Sequence, residues 1–234
     1  MPGSIEIVSI IPAYNEMHTV GDVVDALGHD GPVYVVDDGS TDGTAEAARA
    51  ATKILQHSRN LGKGMAIHSA YEEALADGAE IVRICDADLR GLTPAHGEQL
   101  VEPIIAGEAQ MVLGVLDRPE WLQAYLLKQG WWTGQRGMEL GVLGRVFQKY
   151  PQRTWEGFGI EPALNTLARH EGWHHIGIGR TALRGVTHIG KRGKTDTLLE
   201  AFLAYVDTYS QAGRTLVELE ILQQLHRFSL IGSS

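Results

Sequence analysis

Through residue 115 the chain alternates short apolar runs with amphipathic stretches, a rhythm that predicts strands and helices in turn. Residues 5–11 are rich in β-branched side chains and stop at Pro12, the pattern of a buried strand. Residues 18–27 carry Val20, Val23, Val24 and Leu27 at helical spacing. A second apolar run, 33–36, is closed by Asp37-Asp38-Gly39-Ser40. Thr41-Asp42-Gly43-Thr44 then opens a helix, with Thr41 or Asp42 placed to cap its free amides. A strand over 53–56, a helix over 64–76, a strand over 81–85 and a helix over 94–105 follow, and 111–115 reads as a further strand. Pro94 suits the first turn of its helix, where a missing N–H costs nothing.

Beyond residue 115 the pattern is less regular. Residues 121–132 are aromatic and amphipathic, and 134–147 read as a helix despite their glycines. Residues 160–170 are predicted helical and 173–183 strand-like, with His174 and His175 as strand or edge residues. From 197 to 228 two amphipathic helical stretches are separated near Gly213. Their stripes, Leu198, Leu199, Phe202, Leu203, Val206 and Tyr209, then Leu216, Leu219, Leu222 and Leu225, suit packing on the body or on a second copy in a homodimer. Glu200, Asp207, Glu218 and Glu220 count against a membrane-surface helix, whose polar face is usually basic.

Strand, helix, strand in this order implies right-handed crossovers and a mostly parallel sheet. The ligand crevice of such a sheet lies beyond the carboxyl ends of its strands. Residues 12–16, 37–42 and 86–88 each follow a strand directly, so three distant polar clusters are expected to converge on one rim. The expected fold is therefore α/β. An α/β body spans 1–195, regular in pattern through 115 and less regular over 116–195, and 196–234 form a C-terminal helical appendage.

Composition narrows the function classes. The 234 residues, 44% of them apolar, suffice for one large α/β domain and not for two generous ones. Twenty-nine acidic against twenty basic residues, a formal charge of −9, argue against a nucleic-acid partner, because phosphate backbones are gripped by Lys and Arg. A lone cysteine, Cys85, in an apolar run fits a reducing compartment. No stretch approaches the roughly 20 apolar residues of a membrane span, and the N-terminus lacks the pattern of a signal peptide. The chain reads as cytoplasmic, with docking at a membrane surface left open.

Asp86-Ala87-Asp88 is the central chemical feature. Two carboxylates one residue apart at a strand end can both enter a cleft, and such oxygen ligands suit Mg2+ or Mn2+ bound together with a diphosphate. The plainer reading is a capping Asp beside a solvated one. In Asp37-Asp38-Gly39-Ser40, a strand-end carboxylate can accept a nucleobase N–H while Gly39 or Gly43 turns the chain. An acidic turn that caps a helix is the plainer reading there, and both can hold together.

Taken in order, Ile11-Pro12-Ala13-Tyr14-Asn15-Glu16, Val36-Asp37-Asp38-Gly39-Ser40-Thr41-Asp42-Gly43-Thr44, Asn60-Leu61-Gly62-Lys63-Gly64 and Asp86-Ala87-Asp88-Leu89 resemble the motif set of family 2 glycosyltransferases. The dolichyl-phosphate-mannose-synthase-like branch is similar in all four blocks. The resemblance implies a GT-A (Rossmann-like) fold, with 1–115 as the nucleotide-sugar-binding half and 116–195 as the acceptor half. In it Pro12, Ala13, Tyr14 and Glu16 line a nucleoside pocket and Asp38, with Gly39, meets the base. It implies that Lys63 lies beside base or diphosphate, that Asp86, with Ala87, faces ribose or metal, and that Asp88 ligates the metal. A solvated lysine at a helix start is the alternative for Lys63.

The chain departs from that branch at Arg90-Gly91, where Gln often follows the acidic motif. A guanidinium cannot ligate a metal, so a further ligand must come from elsewhere, and Arg90 is left to phosphate or acceptor. His188 in Gly185-Val186-Thr187-His188-Ile189-Gly190 resembles the late metal-binding His of glucosyl-phosphoglycerate-synthase-like enzymes. Lys191 and Arg192 just after it are placed to close over a diphosphate or hold a phosphorylated acceptor; the plainer reading is a polar loop histidine followed by a solvated basic turn. Gly157-Phe158-Gly159-Ile160-Glu161 resembles a late block in which an acidic residue faces the acceptor, so Glu161 is a candidate general base; as a carboxylate in a first helical turn it can equally serve the helix dipole. Thr133-Gly134-Gln135-Arg136 resembles another block, which offers Arg136 to an acceptor phosphate. Trp131 and Trp132 are suited to a sugar face or, more simply, to core packing.

The expected activity is transfer of a sugar from a UDP- or GDP-sugar to a phosphate or hydroxyl acceptor, polyprenyl phosphate or a small phosphorylated molecule among them. Inversion or retention is left open. A noncatalytic nucleotide-sugar-binding protein is the alternative. A sugar-phosphate nucleotidyltransferase ranks behind it, because 12–16 do not form the glycine-rich loop with an Arg expected of one.

Overall fold

The computed structural model describes residues 6–116, 133–173, 177–183 and 186–188. Nine strands and seven helices lie within them: β1 (Ile7–Ala13), α1 (Val20–Leu27), β2 (Val33–Asp37), α2 (Thr44–Ala47), β3 (Lys53–Gln56), α3 (Lys63–Ala76), β4 (Ile81–Ile84), β5 (Leu89–Arg90), α4 (Pro94–Ile105), β6 (Ala109–Leu116), β7 (Arg136–Glu139), α5 (Leu140–Lys149), α6 (Gln152–Trp155), α7 (Ile160–His170), β8 (Gly177–Leu183) and β9 (Thr187–His188). The expected strand 53–56 and helices 94–105 and 160–170 coincide with β3, α4 and α7. Pro94 opens α4, where His96 Nδ1 accepts the Thr93 backbone N–H at 3.1 Å.

Seven strands form one sheet in the order β3-β2-β1-β4-β7-β6-β8. All neighbours are parallel except β7, which runs antiparallel to both β4 and β6. The helix expected over 134–147 therefore begins only at Leu140, because residues 136–139 pair with two strands, Ile84 facing Arg136 and Leu113 facing Arg136 from the other side. Those backbone partners are remote in sequence, and the periodicity of the stretch does not reveal them. At the other end of the pattern, β1 runs two residues past Ile11. Its register with β4 ends at Ile10, so the donor that Pro12 lacks is not needed on that side. A second, two-stranded sheet pairs β5 with β9, Leu89 facing His188.

Alternate residues of the strands feed two apolar layers. Val8, Ile10, Tyr34 and Val36 pack with α3, α5 and α7, while Ile11, Val33 and Val35 pack with α1 and α4. Arg83 is the charged member of the second layer and is fully buried. Its Nε donates to Ser9 Oγ at 2.7 Å, Nη1 to Asp30 Oδ2 at 2.8 Å and Nη2 to the Leu27 carbonyl at 2.6 Å, and Nη2 also meets Asp30 Oδ1. The guanidinium thus ties β4 and β1 to the end of α1. Arg83→Ala is expected to lower stability by about 3–5 kcal/mol, the cost of breaking a buried pair; urea unfolding measures it, and a loss below about 1 kcal/mol would mean the network contributes nothing.

Cys85 is buried and unpaired, and burial pushes its thiol up to about 12, as expected of an inert core cysteine. Among the described residues no helix is long and apolar enough to cross a membrane. Residues 121–132, His174, His175, Lys191, Arg192 and the 196–234 segment with its homodimer stripes lie outside the described residues.

Candidate active site

The carboxyl ends of β1, β2 and β4 share one rim of the sheet. Antiparallel β7 brings its amino end there, so Thr133, Gly134 and Gln135 stand beside the turn that leaves β4. The rim is thus assembled from four strand ends, one of them reversed.

Hydrogen bonds join the turn after β1 to the loop after β2. Asn15 adopts a left-handed conformation (φ 56°), which Asn tolerates better than most residues. Its backbone N–H donates to Ser40 Oγ at 2.8 Å, and its Oδ1 accepts the Thr41 N–H at 3.0 Å. The Glu16 N–H donates to Thr44 Oγ1 at 2.8 Å, and the Glu16 carboxylate accepts from the Thr19 hydroxyl. Asp42 accepts from Thr44 N–H, Thr44 Oγ1 and Met17 N–H. Burial pushes the Asp42 carboxyl up, but these donors outweigh it and hold it below its ordinary value. The expected capping role of Asp42 is thereby realised on the first residue of α2.

Asp38 is buried. Its Oδ1 accepts the Leu61 N–H at 2.9 Å and lies 2.6 Å from His57 Nδ1, and its Oδ2 accepts the Gly62 N–H at 2.7 Å. The carboxylate expected to read a base is thus engaged with the loop that precedes Lys63. Gly39 makes the turn beside it with φ +78°, packed so closely on Arg59 that a Cβ would lie 2.5 Å from the Arg59 carbonyl carbon.

Lys63 is the first residue of α3 and points inward. Its Nζ donates to Asp86 Oδ1 at 2.5 Å and to Glu161 Oε1 at 2.6 Å, with only 14% of the side chain exposed. Burial pushes the Lys63 ammonium down, but Asp86 and Glu161 outweigh it and hold it well above its ordinary value. The second oxygen of Asp86 accepts from Gln135 Nε2 at 2.8 Å. Gly134 lies against the pair, where a Cβ would come within 2.5 Å of both Asp86 Oδ2 and Lys63 Nζ. The solvated-lysine alternative does not hold.

Arg136 sits beneath, 1% exposed. Its Nε donates to the Thr133 carbonyl at 2.9 Å and Nη1 to Asn165 Oδ1 at 2.8 Å. Burial pushes the guanidinium down to about 10, opposed by Glu161 and Asp86. Two carboxylates and two cations thus form a balanced cluster. Buried Arg136 belongs to this cluster and not to an open surface, which differs from the expected contact with an acceptor phosphate.

The other expected site residues fall along the same rim. Pro12 and Ala13 end β1, Tyr14 is 38% exposed, and Ala87 is buried between Asp86 and half-buried Asp88. Glu161 lies in the first turn of α7, so its dipole role and its place in the site coincide. Arg90 is exposed in β5 and pairs through its backbone with Thr187. Pairing of β5 with β9 sets the His188 backbone opposite Leu89, the residue after Asp88. Among the described residues no three His, Cys, Asp or Glu side chains gather as a metal cage.

His57, Gln135 and Asn165 were not singled out in the sequence. Gln135 stood inside the Thr133–Arg136 block, and His57 follows β3 as Asp38 follows β2, so the strand-end rule alone points to it. Asn165 carried no signal, since a mid-helix Asn is read as neutral until its partner is known.

Comparison with known proteins agrees with this fold. The model of Glycosyl transferase family 2 matches residues 9–155. An uncharacterized protein of Methanocaldococcus jannaschii is 32% identical over 169 residues, 69% of this chain and 68% of that one. The glycosyltransferase AglJ of Haloferax volcanii is 36% identical over 90 residues, 38% of this chain and 29% of AglJ. Glucosyl-3-phosphoglycerate synthase from Mycobacterium tuberculosis, crystallised with Mn2+, UDP and phosphoglyceric acid, shares the fold at a TM-score of 0.68 and 21% identity, covering 92% of this chain and 78% of that one. With the expected motifs on one rim of a GT-A sheet and the family model spanning β1 to α6, the chain belongs to glycosyltransferase family 2.

Proposed function

We propose that this glycosyltransferase moves a sugar from a UDP- or GDP-linked donor to a hydroxyl- or phosphate-bearing acceptor, with Mg2+ or Mn2+ held by Asp86, Asp88 and His188. The observation that carries the reading is the single ammonium of Lys63, which touches both Asp86 after β4 and Glu161 on α7. A donor-side and an acceptor-side carboxylate therefore meet at one point, as transfer between two bound substrates requires.

Hard carboxylate oxygens and an imidazole nitrogen suit either ion, and the β5–β9 register brings the His188 backbone beside the acidic motif. A metal bound there would stabilise negative charge on the departing nucleoside diphosphate. In this reading Pro12, Ala13, Tyr14 and Glu16 line the nucleoside side, while the Asp38-bound loop, with Gly39 packed against it, presents Lys63 to the diphosphate. Gln135 orients Asp86 beside Ala87. Glu161 accepts the proton of an attacking hydroxyl, or orients an acceptor phosphate that needs no base. Buried Arg136 sets a positive charge beneath Glu161 and Asp86. Lys191 and Arg192 hold a phosphate on donor or acceptor. The synthase of M. tuberculosis binds UDP together with phosphoglyceric acid or, with UDP-glucose, glycerol 3-phosphate, which favours a small phosphorylated acceptor here.

Calorimetric titration with UDP, GDP, CDP and ADP, each with and without Mn2+, tests the proposal. One diphosphate is expected to bind, and only with metal. A well-folded protein that binds none of them would have lost the donor site, and the noncatalytic alternative would take its place.

A further inference from the structure

One partly buried polar chain runs from α3 through His57 to Asp38. Ser69 on α3 stands 2.9 Å from His57 Nε2, and His57 Nδ1 stands 2.6 Å from Asp38 Oδ1. A carboxylate can only accept, so Nδ1 carries the proton and, in the neutral ring, Nε2 accepts from the Ser69 hydroxyl. The His57 backbone N–H also donates to the Asp37 carbonyl at 2.9 Å, which seats the ring one residue beyond β3 and beside Asp38. Both side chains are largely excluded from water, His57 at 11% and Asp38 at 5% exposed.

We infer that His57 is a positioning residue for donor binding, acting through Asp38 to preset the Leu61-Gly62 backbone from which Lys63 projects; this rests on the reading of Lys63 as a diphosphate contact. The Asp38 carboxylate receives three N–H donors, from His57, Leu61 and Gly62. The last two are the peptide groups just before Lys63, so the carboxylate sets the entry to α3 and the direction in which Lys63 leaves the loop. Without the imidazole, Asp38 loses one donor and the orientation that aligns its two oxygens with two successive amides. The loop then spends part of its time unbound from Asp38. A binding-competent fraction below one raises the apparent dissociation constant by its reciprocal and leaves the bound state unchanged. The signature is therefore a rise in donor KM with little change in kcat.

Side-chain length separates this role from general packing. Asn places an amide N–H where Nδ1 was and can still donate to Asp38. Gln reaches the Nε2 position and Ser69, missing Asp38. The experiment compares His57→Ala, His57→Gln and His57→Asn with the unaltered protein. Amide exchange of Leu61 and Gly62 is followed by NMR without nucleotide, and donor KM and kcat are measured with Mn2+ and the diphosphate sugar that the titration identifies. The Ala and Gln variants are expected to exchange these two amides about tenfold faster and to raise KM about tenfold with kcat within about threefold. The Asn variant is expected to stay within about twofold of the unaltered protein in all three. Unchanged exchange in the Ala variant overturns the inference, as does a Gln variant that matches the Asn one; should Ala fail to fold, the Gln and Asn pair decides. If the unaltered protein binds no nucleoside diphosphate, the donor reading fails and the exchange rates alone decide whether His57 sets the loop.

Discussion

Lys63→Met is expected to lower folding stability by about 3–5 kcal/mol, the cost of leaving a buried charge without its partner, and to remove transfer activity. The ammonium holds Asp86 and Glu161 at 2.5 and 2.6 Å in a region where all three side chains are at most one-fifth exposed. Methionine keeps the volume and removes the charge, so two carboxylates face each other with Gln135 and the deeper Arg136 as remaining support. The folded ammonium is held above its ordinary value, so its contribution is fully present below the unfolded pKa of about 10.4 and is lost only as pH rises through the folded one. Urea unfolding at pH 7 measures the first effect. A transfer assay with the identified donor measures the second, expected at about a hundredfold or more in kcat/KM for one lost charge-stabilising donor. Stability within about 1 kcal/mol of the unaltered protein would show that the contact carries no weight.

Asp88→Ala is expected to behave oppositely, keeping the melting temperature while removing metal-dependent nucleotide binding. Asp88 is half-buried on the turn after β4, between buried Ala87 and Leu89, which anchor that turn through apolar packing. Truncating it therefore leaves the core untouched. Loss of an outer partner of a metal ligand already costs roughly 10–100-fold in metal affinity, and loss of a proposed direct ligand is expected to cost at least that. Calorimetry with the matching diphosphate and Mn2+ reads it. Unchanged manganese-dependent affinity in the variant would sink the assignment of Asp88 as a ligand.

Most of the fold through residue 116 was legible from local patterning. Apolar runs at the right lengths, Pro94 at a helix start and the strand-end rule were enough to place β1 to β4 and their polar loops on one rim. The patterning misled over 136–139. Arg-Gly-Met-Glu continues the helical rhythm of 140–149, yet its backbone is claimed by β4 and β6, whose pairing competes successfully with a local helix. Arg136 illustrates the same limit for side chains. Its block offered it to an acceptor phosphate, whereas the fold buries it against Asn165 and the Thr133 carbonyl.

The strand-helix alternation, the acidic turn after each inner strand and the four ordered motifs were thus contained in residue order, because each depends on neighbours a few positions apart. Which carboxylate meets which cation was not. Lys63 and Glu161 are 98 residues apart, and Asp86 and Gln135 are separated by 49. Their meeting depends on reversed β7, whose amino end brings Gln135 to the rim, and on α7, which delivers Glu161. The strand-end rule puts His57 on the rim, but only the parallel pairing of β2 and β3 sets its ring beside Asp38. Short-range order is encoded by propensity and spacing, whereas the partner of a buried charge is chosen by the packing that excludes water around it.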